Sequence, residues 1–176
     1  MIASEHTMRY RVILTITTAL LVGPAASQEH VALSVEGWTA HAKADDVTAY
    51  RCASSVCAAG SEVSYKRQPN RPGLTLAEFE VHHRRLADQN RGTGRIRDLR
   101  ISAPQERVID GVRVLQVRRD FEWVDGRSHA LIESRLIGPS SSYSVVSVSP
   151  KPECTINNFE GFLPRLVDIA ALEGVD

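Results

Sequence analysis

The chain carries no net charge: 21 Lys+Arg balance 21 Asp+Glu in 176 residues. That removes the bulk electrostatic case for a nucleic-acid binder, whose basic footprint should show in the count. Long apolar runs are missing too. None approaches the roughly 20 residues that cross a bilayer as a helix, so no stable membrane span is expected. Three cysteines are too few for a disulfide scaffold. No internal repeat or low-complexity tract marks a repeat array. Lysine is nearly absent, with Lys43, Lys66 and Lys151 against 18 arginines, which reads as the codon bias of a GC-rich genome. What is present is ordinary for a globular protein: 43% hydrophobic and 24% charged residues. These fractions exclude a wholly disordered or collagenous chain, and the length suits one domain with a real core.

The clearest positive feature is an export segment. Arg9 and Arg11 form a basic flank, Val12 to Val22 a short apolar run, and Gly23-Pro24 breaks it. Ala25-Ala26-Ser27 then offers small residues where a signal peptidase reads them, so cleavage is expected between Ser27 and Gln28. Residues 1–27 are therefore expected to be a signal peptide and 28–176 a single globular domain. Glu5 does not suit a basic leader, which makes Met8 an alternative start. No cysteine lies near the cut, which disfavours a lipid anchor. A periplasmic or secreted location follows as the expectation.

Outside the cytoplasm, two of the three cysteines should pair. Cys52 and Cys57 are separated by Ala53-Ser54-Ser55-Val56, a polar link short enough to turn. Closing so small a loop stabilises by about 2 kcal/mol. Cys154, just ahead of the last helical stretch, is the competing partner. Redox motifs usually hold two intervening residues instead of four, and no Cys or His stands at ligand spacing. A structural staple between Cys52 and Cys57 is therefore favoured over a redox pair or a metal site.

Short extended pieces are expected at 31–35 and 37–43, a turn at Asp45-Asp46, and strands at 47–53 and 62–68. Pro69, Pro72 and Gly73 make 68–73 a loop. Thr75 followed by Glu78 spells a capping box, and Leu76, Phe79, His83 and Leu86 recur at helical spacing. A helix to about Asn90 follows, stopping in Arg91-Gly92-Thr93-Gly94-Arg95. Leu99 and Ile101 open a new strand before Pro104. Asp110-Gly111 and Asp125-Gly126 are both two-residue hairpin signals between β-rich runs. A tight turn at the second pairs Val124 with Arg127. Arg118 then falls opposite Glu133, Glu122 opposite His129, Phe121 opposite Ala130 and Leu115 opposite Leu136. Charges meet on one face and apolar groups on the other, and a one-residue slip would undo both sets. Residues 138–142 lead to a further strand, Tyr143 to Ser149. Asn157 with Glu160 is a second cap pair, ahead of an apolar stripe of Phe159, Phe162, Leu163, Leu166 and Ile169. Pro164 implies either a kink or a helix that starts afresh there. The expected fold class is α+β: an antiparallel sheet of about six or seven strands packed with two main helices.

A tryptophan after glycine in an early strand, a capped helix, a meander with Asp-Gly turns and a phenylalanine-rich last helix resemble the PsbP-like family. The resemblance runs from about Gly37 to Leu172. Its nearest approach to a signature is Val124-Asp125-Gly126-Arg127 before Ala130-Leu131-Ile132-Glu133, followed by Tyr143-Ser144-Val145-Val146-Ser147-Val148. The family is named after the extrinsic subunit of the plant oxygen-evolving complex. It also holds a nuclear factor acting on the Ran GTPase and many exported bacterial proteins of unsettled role. The resemblance implies an α/β/α sandwich that acts by protein contact, with no catalytic residues to carry over. Cys52 and Cys57 are not part of the pattern.

Several constellations invite a functional reading. Glu80 to His83 and Glu78 to His82 have the helical spacing of a di-metal site, but no second Glu-x-x-His supplies the matching helix. His83 on the buried stripe and His82 in solvent is the plainer reading. His129 opposite Glu122 could orient an imidazole, yet no serine or cysteine is placed as its nucleophile and no Gly-x-Ser-x-Gly elbow exists. Asp45-Asp46 lacks further oxygen ligands for a cation. Ten arginines between Arg84 and Arg119 face only Asp88, Asp98, Glu106 and Asp110. Within that stretch the glycines between Arg91 and Arg95 could wrap an anion or an acidic partner surface. Arg91, Arg95, Arg97 and Arg100 are therefore the expected contact with an envelope or secreted protein partner. The functional expectation is an exported, non-catalytic accessory protein that binds another macromolecule, with no cofactor. The alternatives are a small-ligand or lipid carrier, with its ligand between helix and sheet, and an unrecognised envelope hydrolase or redox enzyme.

Overall fold

The computed structural model describes residues 33–42, 46–55 and 57–172. The expected signal segment, its cleavage point at Ser27-Gln28, the start of the 31–35 piece and Asp45 lie outside these residues. Ten elements follow one another: β1 (Trp38–Ala42), β2 (Thr48–Cys52), β3 (Glu62–Gln68), α1 (Leu76–Arg91), β4 (Ile96–Ile101), β5 (Gln105–Ile109), β6 (Val112–Trp123), β7 (Ser128–Ile137), β8 (Ser142–Ser149) and α2 (Pro152–Leu172). The strands form one antiparallel sheet in the order β1-β2-β3-β8-β7-β6-β4, with β5 also paired to β6. Strands β4 and β5 are two halves of one edge. Ile101 pairs with Arg119 and Gln105 with Gln116, so both run along β6 in the same direction. Pro104, which has no N–H to give a ladder, sits in the gap, and Ser102 covers it by bonding Arg118 through backbone (2.9 Å) and hydroxyl (3.1 Å).

Alternation along the central strands builds the layers. Val112, Val114, Ile132, Leu136 and Val145 point to one face and pack under the Phe159, Phe162, Leu163 and Leu166 stripe of α2. Leu115, Val117 and Ile137 point the other way, onto Leu74 and Phe79. Strand β6 thus carries buried residues on both faces, and the chain is α+β with a three-layer α/β/α arrangement. Helix α1 begins as expected: the Glu78 N–H donates to Thr75 Oγ1 (3.2 Å) and the Thr75 N–H to the Glu78 carboxylate (2.9 Å). It ends one residue past Asn90, ahead of Gly92.

Two expectations are corrected. Helix α2 starts at Pro152, not at an Asn157 cap. Pro152 takes the first helical position, where a missing N–H costs nothing. Pro164 lies inside the continuous helix on its solvent side. The second correction is the β6–β7 register. Glu122 pairs with Ser128, Phe121 with His129, Asp120 with Ala130, Arg118 with Ile132 and Leu115 with Arg135. Every expected pair is off by one. The cause is the loop, which closes through Gly126 N–H to Trp123 O (3.0 Å) and Trp123 N–H to Arg127 O (2.8 Å). Val124, Asp125 and Gly126 make a three-residue connection with Gly126 in the left-handed region, φ 84°. At Asp110-Gly111 the two-residue turn does form: both residues have positive φ and Ile109 pairs with Val112.

Cys52 and Cys57 are joined by a disulfide with Cα atoms 5.7 Å apart, while Cys154 is free. The bridge closes the turn after β2. The buried Asn158 amide donates to Cys57 O (3.3 Å), seating that turn against the first part of α2.

Candidate functional site

Helix α1 lies mainly across β4 and β6 and reaches β7 only along its flank, where His83 approaches Glu133 and Phe79 packs with Ile137. Where its flank meets β7 a cleft of about 180 Å³ opens, with Leu74 and Phe79 as its apolar wall. Its polar lining comes from both layers. Alternation on β7 sends Ile132 and Leu136 to α2, and therefore Glu133 and Arg135 to the α1 side. Helical spacing turns Phe79 and His83 toward the sheet, with His82 at the rim. Arg71, from the loop after β3, and Ser144, opposite Arg135 on β8, complete it.

The charges inside are unevenly matched. Arg119, only 5% exposed, forms an ion pair with Glu133 Oε2. His83 Nδ1 approaches the same oxygen at 3.4 Å. Because Arg119 already claims that carboxylate, burial dominates the imidazole, and the Arg119 and Arg135 guanidiniums add to it. His83 is pushed down to about 4 and is neutral at pH 7. Burial also lowers His82, with His83, Arg85, Arg119 and Arg135 contributing, and lowers Arg135, with Arg71 contributing. Glu78 is held below the usual carboxylate range by the Thr75 N–H and hydroxyl, with Arg71 4.0 Å away. The Arg135 side chain has neither a hydrogen bond nor an ion pair among the described residues, and its Nη1 is buried without an acceptor. The cleft therefore holds one guanidinium, that of Arg135, with no carboxylate partner among the described residues and with its Nη1 donor unanswered.

The residues singled out in the sequence fall in different places. His82 and His83 are both in this cleft, His83 buried and His82 exposed. Glu80 is bonded to Arg84 (Nε to Oε1, 2.9 Å), pointing away from any metal role. Among the described residues no group of three or more His, Cys, Asp or Glu side chains could hold a metal ion. His129 does not meet Glu122, as the register shift requires. Its Nδ1 accepts the Trp123 indole N–H (2.9 Å), and its ring stacks on Phe121. Glu122 pairs with Arg97 instead.

Of the four arginines expected at a contact, three are engaged within the chain. Arg91 bonds Asp88 (2.8 Å) and the Leu99 carbonyl (2.8 Å), capping the end of α1. Arg97 pairs with Glu122, and Arg100 approaches Asp98 at 3.6 Å. Arg95 is exposed and has no side-chain partner among the described residues. The local basic excess is mostly cancelled by carboxylates from elsewhere: Glu80, Asp120, Glu122, Glu133 and Glu160. A sequence window could not reveal those partners. It did hold the signal for the cleft: Glu133 and Arg135 share one face of a strand whose other face is apolar, and charges on a covered face need a reason.

Fold and cleft together define a three-layer antiparallel α+β domain with a ligand-sized opening beside its first helix. The sequence matches no protein-family model and no curated protein. Among solved structures the chain is similar to cyanobacterial PsbP (CyanoP) from Synechocystis sp. PCC 6803, at 14% identity and a TM-score of 0.46, over 84% of this chain and 96% of that one. It is also similar to PA94, a protein of unknown function from Pseudomonas aeruginosa, at 8% identity and a TM-score of 0.48, over 73% of this chain and 92% of that one. The PsbP-like resemblance is weak and one of fold.

Proposed function

We propose that this chain is an exported, non-catalytic accessory protein that engages an acidic group of another molecule at the cleft between α1 and β7. The observation that carries the reading is Arg135, a half-buried guanidinium without a partner among the described residues, on the wall of an open cleft. A buried donor left unbonded costs about 1–3 kcal/mol, and more when charged, and a ligand acceptor would recover that cost. Export is supported by the order of basic flank, apolar run and small-residue exit before Gln28, and by the Cys52–Cys57 disulfide. No helix among the described residues is long and apolar enough to cross a membrane.

The test uses the full chain with a C-terminal tag, expressed in a host that processes exported proteins. The expected product is periplasmic or secreted, begins at Gln28 by mass spectrometry and has one free thiol. Envelope components captured by it should fall away with rising salt and with Arg135→Gln. Cytosolic product with its N-terminus intact and three free thiols overturns export, and equal capture by Arg135→Gln overturns the cleft. A second reading, docking of an acidic surface on Arg91, Arg95, Arg97 and Arg100, draws its support from the unpartnered Arg95. Loss of capture with Arg95→Glu/Arg97→Glu but not with Arg135→Gln would favour it.

A further inference from the structure

Resting on that reading of the cleft, we infer that the group it takes is a carboxylate carried on a short apolar body. The charge lies between Arg71 and Arg135 and the body lies against Leu74 and Phe79. Charge matching comes first. Arg71, Arg119 and Arg135 stand against Glu78 and Glu133, a surplus of one positive charge. A monoanion balances it. A dianionic phosphate would leave excess negative charge beside two glutamates in a half-buried site, where such repulsion is screened poorly.

Geometry agrees with charge. A planar guanidinium offers parallel N–H donors that fit a carboxylate's two oxygens, and the Ser144 hydroxyl stands opposite Arg135 in the sheet register. The wall opposite is apolar, so the part of the ligand beyond the carboxylate gains by burial there. Size sets the limit: an apolar cavity of about 150 Å³ holds a benzene ring, and this cleft measures about 180 Å³. The cationic setting also reaches His82, which is lowered first by burial and then by neighbours that include the guanidiniums of Arg85, Arg119 and Arg135. A bound carboxylate offsets that field and raises His82.

Such a carboxylate comes either from a free small acid or from the C-terminus of a peptide with an apolar last residue. Isothermal titration and thermal shift of the intact protein separate them. The probes are sodium benzoate, benzyl alcohol, inorganic phosphate, and an acetylated dipeptide ending in phenylalanine, as free acid and as amide. The expected result is saturable binding of benzoate or the free-acid peptide, with benzyl alcohol and the amide weaker by at least about tenfold. Arg135→Gln and Arg71→Gln should each cost a similar factor, and His82 should titrate at higher pH in the complex. Arg71 is 57% exposed, so its variant keeps the fold even where Arg135→Gln does not. Benzoate alone assigns a small acid, and the peptide acid alone assigns a C-terminus. Benzyl alcohol equal to benzoate, or phosphate tighter than both acids, overturns the inference. No binding of either acid overturns it too. If envelope capture still depends on Arg135, the proposed function survives that failure, and if it does not, both fall.

Discussion

Burial drives the His83 imidazole from an ordinary 6.5 down to about 4, and its neighbours reinforce the shift. Phe79 lies on its own helix 4.2 Å away between ring centroids, with His82 beside it; Glu133, Arg119 and Arg135 face it from the sheet side. The unfolded chain takes up a proton near pH 6.5 that the folded chain refuses until about pH 4. Stability is therefore full above 6.5 and is lost progressively as pH falls through that window. The loss comes to about 2 kcal/mol once solvent at the cleft mouth is allowed for. Urea midpoints for wild type and His83→Gln, measured between pH 7.5 and 4, check it: the wild-type decline should exceed the variant's by that amount. The Arg119–Glu133 pair makes a second prediction on the same residues. Glu133→Gln leaves a buried guanidinium without its carboxylate and should destabilise by about 3 kcal/mol. Arg119→Met/Glu133→Leu, which removes both charges, should be more stable than either single change in a double-mutant cycle by denaturant unfolding.

At the scale of elements, the connection between β7 and β8 is tied to α2 by one missing side chain. A Cβ on Gly138 would stand 2.0 Å from the Ala170 carbonyl oxygen, a backbone atom that cannot swing away. Gly138→Ala should therefore push α2 off the sheet end, at a cost of about 1–3 kcal/mol by denaturant midpoint. Gly161→Ala, whose Cβ meets nothing within 4 Å, should be neutral or slightly stabilising. Nothing in the sequence flags Gly138, because a close approach between distant segments has no local signature. What was legible was whatever is decided locally. The Thr75–Glu78 cap, the Asp110-Gly111 turn and the short Cys52–Cys57 link each depend on a few adjacent residues. The β6–β7 register was not, since one dipeptide supports both a two-residue and a three-residue loop, and cross-strand charge counting favoured the wrong one. For the cleft, His82 and His83 were visible as a pair, but their setting is not. Arg71, Arg119 and Arg135 come from three separate stretches that only the sheet brings together.

Across the whole molecule the two helices hold the sheet unequally. Nine α2 residues are buried, four of them Phe or Leu, over a core that reaches from β6 to Tyr50 of β2. Helix α1 buries Phe79, His83 and Ala87, and one of these is a histidine that resists protonation only while covered. With less apolar area removed from water, α1 should open from the sheet at lower free energy than α2, as a local unit rather than with the whole domain. Native-state hydrogen exchange measures this directly. Amides of α1 should exchange through an opening smaller than global unfolding, and those in the middle of α2 only with global unfolding. Equal protection in the two helices would contradict the asymmetry. The consequence reaches the cleft, because α1 forms one of its walls. A ligand bridging Arg71 and Arg135 while resting on Phe79 binds only the closed form. Saturating it at 100 times its dissociation constant should therefore raise α1 protection by about 2.7 kcal/mol and leave the α2 core, already limited by global unfolding, raised by no more than the same amount. Acid acts in the opposite direction. The opened form of α1 takes up the His83 proton near pH 6.5 and the closed form only near 4, so α1 should loosen first as pH falls between those values, and ligand affinity and α1 protection should fall together, ahead of the loss of the sheet.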